Sequence, residues 1–139
     1  MKVFQGIFLG IIVVSSAVNA EPLLDKPEWQ FANLLYEGAF TCESKSKTYQ
    51  AAIRLRSAEE LTLRDNYMAC IKEFSEKARS GFPIAMKKAR SDAVKSDLKE
   101  LYASWNAYFG DFSGPGSAIL KSKYTSARSA LEVELSSSE

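Results

Sequence analysis

Apolar side chains recur every three or four residues along four long segments of the chain, the spacing of one face of an α-helix. The predicted helices span about residues 26–56, 57–80, 83–109 and 117–135. No window alternates apolar and polar residues as a half-buried strand does. The pattern therefore predicts an all-α fold, an up-down bundle of about four helices joined by short connections.

Local signals predict where the first two helices begin. Ser57 and Glu60 have the spacing of a capping box, in which each residue satisfies a backbone N–H of the other. Asp25 and Glu28 repeat this spacing around Pro27, a residue suited to the first turn of a helix. We therefore expect capped helix starts near residues 57 and 26.

Glycine and proline predict the later helix ends. Gly81 is expected to close the second helix and Pro83 to open the third, with a tight turn at residues 80–82. Residues 110–116 contain three glycines and a proline and separate the third helix from the fourth. The stretch 41–48 is rich in Ser, Thr and Lys, so a kink or a frayed turn in the first helix stays an alternative to a continuous helix.

The two cysteines predict how the first two helices align. Cys42 and Cys70 both lie on apolar faces. If the helices fold back antiparallel about Arg56, residues whose numbers sum to about 112 face each other, as 42 and 70 do. Gly38 then faces Phe74, where the missing side chain leaves room for the ring. We expect a disulfide between Cys42 and Cys70; the alternative is two buried free thiols that behave as small hydrophobes.

The first residues have the features of an export signal. Lys2 precedes an apolar run over residues 7–14, and small residues lead to Ala20. We expect residues 1–20 to be a signal peptide cleaved near Ala20–Glu21, leaving a single helical domain at 21–139. The apolar run is too short to span a bilayer, so no integral membrane segment is expected in the mature chain. The expected location is the periplasm, or the medium after secretion, where disulfides form.

Charge argues against one class of partner and leaves another open. Without Lys2, basic and acidic side chains balance at 17 each, which argues against nucleic-acid binding. Between residues 77 and 95 the balance is basic, with a single acidic residue. The basic residues are Lys77, Arg79, Lys87, Lys88, Arg90 and Lys95. This run is either a patch for an anionic partner or membrane surface, or the solvated side of two helices.

The chain lacks the usual residues of catalysis and metal binding. It has no histidine, which excludes Ser-His-Asp and Cys-His sites and the usual Cys/His zinc site. Ser-x-x-Lys occurs at Ser44/Lys47 and Ser96/Lys99, but the companion motifs of penicillin-binding enzymes are missing. We therefore expect no catalytic residue, no cofactor and no metal, and a protein that is not an enzyme. Turnover that depends on either Ser-Lys pair would revive the enzyme alternative.

Aromatic residues concentrate at the end of the third helix and in the loop that follows. The cluster comprises Tyr102, Trp105, Tyr108, Phe109 and Phe112. One interpretation is a docking surface in which Tyr102 and Tyr108, at the margins of the apolar stripe, are exposed beside Phe112. The other is structural: the cluster closes the end of the bundle.

The general layout of the chain suggests a function. An export signal, about 120 residues of helix, one disulfide and no catalytic inventory resemble small periplasmic immunity and inhibitor proteins that block cell-wall-attacking enzymes. We expect an exported, non-catalytic protein-binding protein, an inhibitor or immunity protein against a cell-wall-active enzyme or toxin. Its expected partner-binding residues are Tyr102, Tyr108 and Phe112, and secondarily Lys87, Lys88 and Arg90. The alternative is an envelope structural or stress protein that binds membrane or cell-wall polymers through its basic face.

Overall fold

The computed structural model describes residues 22–137 as four α-helices, with no strand in that range. A short 3-10 helix, Leu23–Asp25, precedes α1 (Pro27–Leu55), α2 (Glu60–Lys88), α3 (Asp92–Phe109) and α4 (Ser117–Ser137). The predicted all-α fold is confirmed. The predicted signal peptide lies outside the described residues.

The helices alternate in direction, as an up-down bundle requires. The α1–α2 and α3–α4 pairs form two antiparallel hairpins that pack against each other. Lys26, just before α1, donates to the backbone oxygen of Leu135 near the end of α4, at 2.7 Å. Glu43, farther along α1, pairs with Lys121 near the start of α4. These two contacts show that α4 runs antiparallel to α1.

The disulfide between α1 and α2 is confirmed, with the Cα atoms of Cys42 and Cys70 5.7 Å apart. The alignment around it is also confirmed, because a Cβ atom on Gly38 would lie only 2.7 Å from Cδ1 of Phe74. The ring therefore packs directly on the α1 backbone, where only glycine leaves room. The disulfide is compatible with an oxidising, exported location.

The core lies between the two hairpins, and all four helices contribute buried side chains to it. Its largest fully buried side chains are Trp105, Leu35, Leu98, Leu101, Leu131 and Cys42. Trp105 stacks on Phe109 with ring centroids 4.1 Å apart, and its Nε1–H donates to the backbone oxygen of Leu35 at 2.7 Å. One side chain thus supplies both apolar contact and a directional bond between α3 and α1.

The predicted turn at residues 80–82 is wrong, because α2 continues through Gly81 and Pro83. A Cβ atom on Gly81 would lie 3.1 Å from Cδ2 of Phe31, so this glycine permits close packing of α2 on α1 and does not end the helix. Pro83 lies on the exposed side of α2 and removes one helical hydrogen bond without stopping the helix.

The two predicted capping boxes are also wrong. The Ser57 hydroxyl accepts from the Glu59 backbone N–H at 3.2 Å, inside the turn that precedes α2. No side chain caps α1, although Pro27 occupies its first turn as predicted. The side-chain cap that does form is at α3, where the Ser91 hydroxyl accepts from the Val94 N–H at 3.1 Å. The start of α3 is therefore marked by a simple serine cap, without the glutamate that completes a capping box.

The α1–α2 hairpin extends beyond the rest of the bundle. α1 is continuous through residues 41–48 and ends at Leu55, and the residue after it, Arg56, has a left-handed backbone with φ 51°. α1 and α2 each have 29 residues, against 18 for α3 and 21 for α4. We call residues 44–68 the hairpin tip. Only Ser46 and Ala52 are buried there, because α3 ends and α4 begins near the level of the disulfide.

Among the described residues, no helix combines the length and apolar character needed to cross a membrane.

Candidate binding surfaces

The aromatic residues predicted to bind a partner belong mostly to the core. Tyr108 is 2% exposed and Phe112 9% exposed, so the expectation that they form an accessible surface is wrong. Tyr102 is partly buried and stacks on Phe82 with centroids 4.6 Å apart. In the loop, the Gly114 N–H donates to Asp111 Oδ1 at 2.7 Å, a turn within the loop that carries Phe112 into the bundle. The cluster closes the end of the bundle.

The predicted basic residues are accessible, but the run is partly neutralised. Lys87, Lys88 and Arg90 are exposed at the end of α2 and in the turn to α3. Lys77 and Lys95 pair with acidic residues on their own helices. The last turn of a helix favours positive charge, which explains Lys87 and Lys88 without a partner. Partner binding by these residues stays a prediction.

The hairpin tip exposes large apolar side chains that the sequence analysis did not single out. Leu55 is 80% exposed, Leu61 64%, Met68 54% and Ile53 38%. Leu61 and Met68 are seven residues apart and share a face of α2. Ile53 and Leu55 lie in the last turn of α1, beside the start of α2. We call these four residues the tip patch.

A groove of about 340 Å³ separates α1 from α4. Tyr36 and Phe40 line its α1 side, with their rings stacked 6.3 Å apart and largely exposed. Tyr124 and Arg128 line its α4 side, and Tyr108 reaches it from α3. The groove therefore combines aromatic walls with polar groups from three helices.

Arg128 is held between two aromatic rings on one side of this groove. Its Cζ lies 4.4 Å from the ring centroid of Trp29 and 5.0 Å from that of Tyr36. Its Nη2 donates to Asn33 Oδ1 at 2.9 Å. Its guanidinium makes no ion pair with a carboxylate in the described part of the chain, so its charge is balanced only by ring faces and a neutral amide.

Comparisons with protein-family models, curated proteins and solved structures found no match. The chemistry of the surfaces themselves is therefore the basis for assigning a function.

Glu43 is the acidic residue of the groove, and it is tightly paired. Its carboxylate lies 2.8 Å from Lys47 Nζ and 2.9 Å from Lys121 Nζ. Burial alone would raise the pKa of Glu43, but the hydrogen bonds from these two lysines and the proximity of the Tyr108 hydroxyl lower it to about 2. Glu43 is therefore ionised at any physiological pH.

This pairing predicts a loss of stability in acid. Because the folded pKa of Glu43 lies below the ordinary value of 4.5, its contribution is fully present above pH 4.5 and is lost as pH falls toward about 2. We expect Glu43→Gln to cost on the order of 1–2 kcal/mol of unfolding free energy at pH 7, after allowing for solvent screening. Urea titrations at several pH values should show the two proteins converging below pH 4.5. Glu132→Gln, on the exposed face of α4, should leave stability at pH 7 nearly unchanged. A constant difference between wild type and Glu43→Gln down to about pH 2 would contradict the assignment.

Three buried side-chain polar atoms have no hydrogen-bond partner among the described residues: the Tyr108 hydroxyl, the Tyr124 hydroxyl and Arg128 Nε. All three belong to residues that line the groove. Burial raises the pKa of both tyrosines above the ordinary range, so both hydroxyls stay protonated. The Tyr108 hydroxyl lies near Glu43, which adds to its shift, but without the geometry of a hydrogen bond.

The Ser-x-x-Lys pairs lie on exposed helix surfaces. Ser44 and Lys47 are on α1, where Glu43 already engages the lysine, and Ser96 and Lys99 are on α3. Across residues 22–137, no group of three or more acidic or cysteine side chains is placed to hold a metal ion.

Proposed function

We propose that this chain is an exported, non-catalytic protein-binding protein that docks its partner through the tip patch. In this proposal it acts in the periplasm as an inhibitor or immunity protein against a cell-wall-active enzyme or toxin. The signal-like residues 1–20, the disulfide and the missing histidine chemistry support the exported, non-catalytic part. The resemblance in general layout to small periplasmic inhibitors supports the target class.

The observation that carries the proposal is the apolar end of a long, cross-linked hairpin. Four large Leu, Ile and Met side chains are exposed along residues 53–68, and large apolar side chains exposed to water are typical of interaction surfaces because their exposure is unfavourable. The disulfide at the base of the tip restricts how far α1 and α2 can separate. A partner therefore meets a surface that needs little ordering on binding, which favours affinity. A narrow two-helix rod also suits insertion into a cleft.

Introducing negative charge into the tip patch tests this surface. We expect the double variant Leu55→Glu/Leu61→Glu to lose at least about tenfold in affinity, because it places carboxylates in the apolar centre of the interface. The partner would be identified by cross-linking in periplasmic extract followed by mass spectrometry, and affinity measured by calorimetry with the purified pair. Val133→Glu, on exposed α4, is the matched control and should bind like wild type. Equal affinity for the tip variant and wild type would refute docking through the tip.

The basic end of the bundle gives the second candidate, an envelope protein that holds anionic polymers. Lys87 and Lys88 are adjacent and exposed, which is the observation in its favour. Binding through them should be lost by about 0.5 M salt, because exposed charges are screened over a few ångströms there. Binding through the tip patch should largely survive the same salt. Lys87→Glu/Lys88→Glu should abolish binding only in the polymer case.

A further inference from the structure

The three unpartnered polar atoms of the described residues are gathered at one place, the groove between α1 and α4. A buried polar group without a hydrogen bond has a free-energy cost in the folded state. Three such costs in one groove are difficult to explain by folding alone, since the chain satisfies its other buried side-chain polar atoms in the described range. A molecule bound in the groove would supply the missing partners.

The charge of the groove indicates the sign of the charge on that molecule. Glu43 is its one acidic lining residue and is already shared by Lys47 and Lys121. Arg128 has no carboxylate partner among the described residues, so its side of the groove is positive. Water can satisfy a tyrosine hydroxyl, but it cannot supply a counter-charge to the guanidinium. A carboxylate can do both, because it accepts several hydrogen bonds and carries the opposite charge.

The α1 side of the groove indicates the chemistry of the rest of the ligand. Tyr36 and Phe40 form a stacked pair at the mouth, and both rings remain largely exposed. Such a platform favours a flat apolar or aromatic group laid against it. Tyr36 also covers Arg128, and its ring is half-exposed. Rotation of Tyr36 would open a path to the buried donors.

We propose that this groove is a binding site for a small aromatic carboxylate. The carboxylate accepts hydrogen bonds from Arg128 Nε and the Tyr124 hydroxyl, and the ring of the ligand stacks on Phe40. The groove volume, about 340 Å³, is at the small end of ligand pockets and suits a molecule of one or two rings. The site is separate from the tip patch and does not depend on the proposed partner.

Two matched probes test the site: 2-naphthoate and its uncharged analogue 2-naphthamide. Calorimetry and backbone amide chemical shifts should show 2-naphthoate binding at the groove at least about tenfold more tightly than 2-naphthamide, because hydrogen bonds to a charged group are stronger than those to a neutral amide. No binding of 2-naphthoate at about 1 mM, or equal binding of the two probes, would overturn the proposal.

The variant Tyr124→Phe separates a binding role from a structural one. It removes one unpartnered hydroxyl, so the free protein should be as stable as wild type or more stable, while 2-naphthoate binding weakens severalfold. Phe40→Ala, at an exposed position, should weaken both probes by about threefold to tenfold through loss of stacking. Val133→Ala should change nothing. A destabilised Tyr124→Phe that binds 2-naphthoate like wild type would show that the hydroxyl serves the fold and would overturn the assignment.

Discussion

Replacing Trp105 with alanine is expected to lower the free energy of unfolding by about 3–5 kcal/mol. The side chain is fully buried where α3 meets the α1–α2 hairpin, so its removal leaves a cavity that the helices cannot close without moving apart. The variant also loses the 2.7 Å bond to the Leu35 oxygen and the stacking on Phe109. Urea denaturation followed by circular dichroism at 222 nm, a helix signal, would measure the loss.

Trp105→Phe is the matched control for this prediction. It keeps an aromatic ring in the cavity but removes the Nε1–H donor, so its cost should be smaller, about 1–2 kcal/mol. Both variants lose the hydrogen bond, so the difference between them measures the contribution of ring packing. A loss below about 1 kcal/mol in Trp105→Ala would contradict the central position of this side chain.

Removing the disulfide is expected to cost about 3–4 kcal/mol. Cys42 and Cys70 are 28 residues apart, and closing a loop of that length restricts the unfolded chain by about that amount. Cys42→Ala/Cys70→Ala avoids leaving buried polar atoms and should lower the urea midpoint accordingly. Amide hydrogen exchange should accelerate most in the hairpin tip, which has few contacts besides those between α1 and α2.

Reduction of the native protein with dithiothreitol provides the control. It should reproduce the destabilisation of the double variant and leave the variant itself unchanged. If wild type and variant unfold at the same urea concentration under oxidising conditions, the covalent bond contributes nothing and the chain-entropy account is wrong.

The register of the first hairpin could be predicted from sequence because its evidence is local to two helices. Two cysteines on apolar faces and a glycine opposite a phenylalanine permit one alignment, and the structure has it. The end of α2 could not be predicted the same way. Gly81 and Pro83 have the local appearance of a helix boundary, but the contact between Gly81 and Phe31 is tertiary and no helical pattern within α2 reveals it.

The candidate sites were harder to predict than the fold. Tyr108 lies at the edge of an apolar stripe, and only the position of α4 decides that this edge is buried. The groove depends on the lateral placement of α1 and α4, helices far apart in sequence, so Arg128 gave no signal beyond an ordinary surface charge. The tip patch did give a signal in the sequence. Leu61 and Met68 fall outside the apolar stripe formed by Leu63, Tyr67 and Cys70. Large apolar residues outside such a stripe are predicted to be exposed.

The α1–α2 hairpin is longer than the α3–α4 hairpin, so its tip is held only at its base. The hairpin tip projects beyond the four-helix part of the bundle. The disulfide at its base prevents α1 and α2 from sliding past each other. Glu43, the residue after Cys42, is anchored to α4 through Lys121. This ion pair therefore joins the base of the hairpin tip to α4 at the edge of the groove.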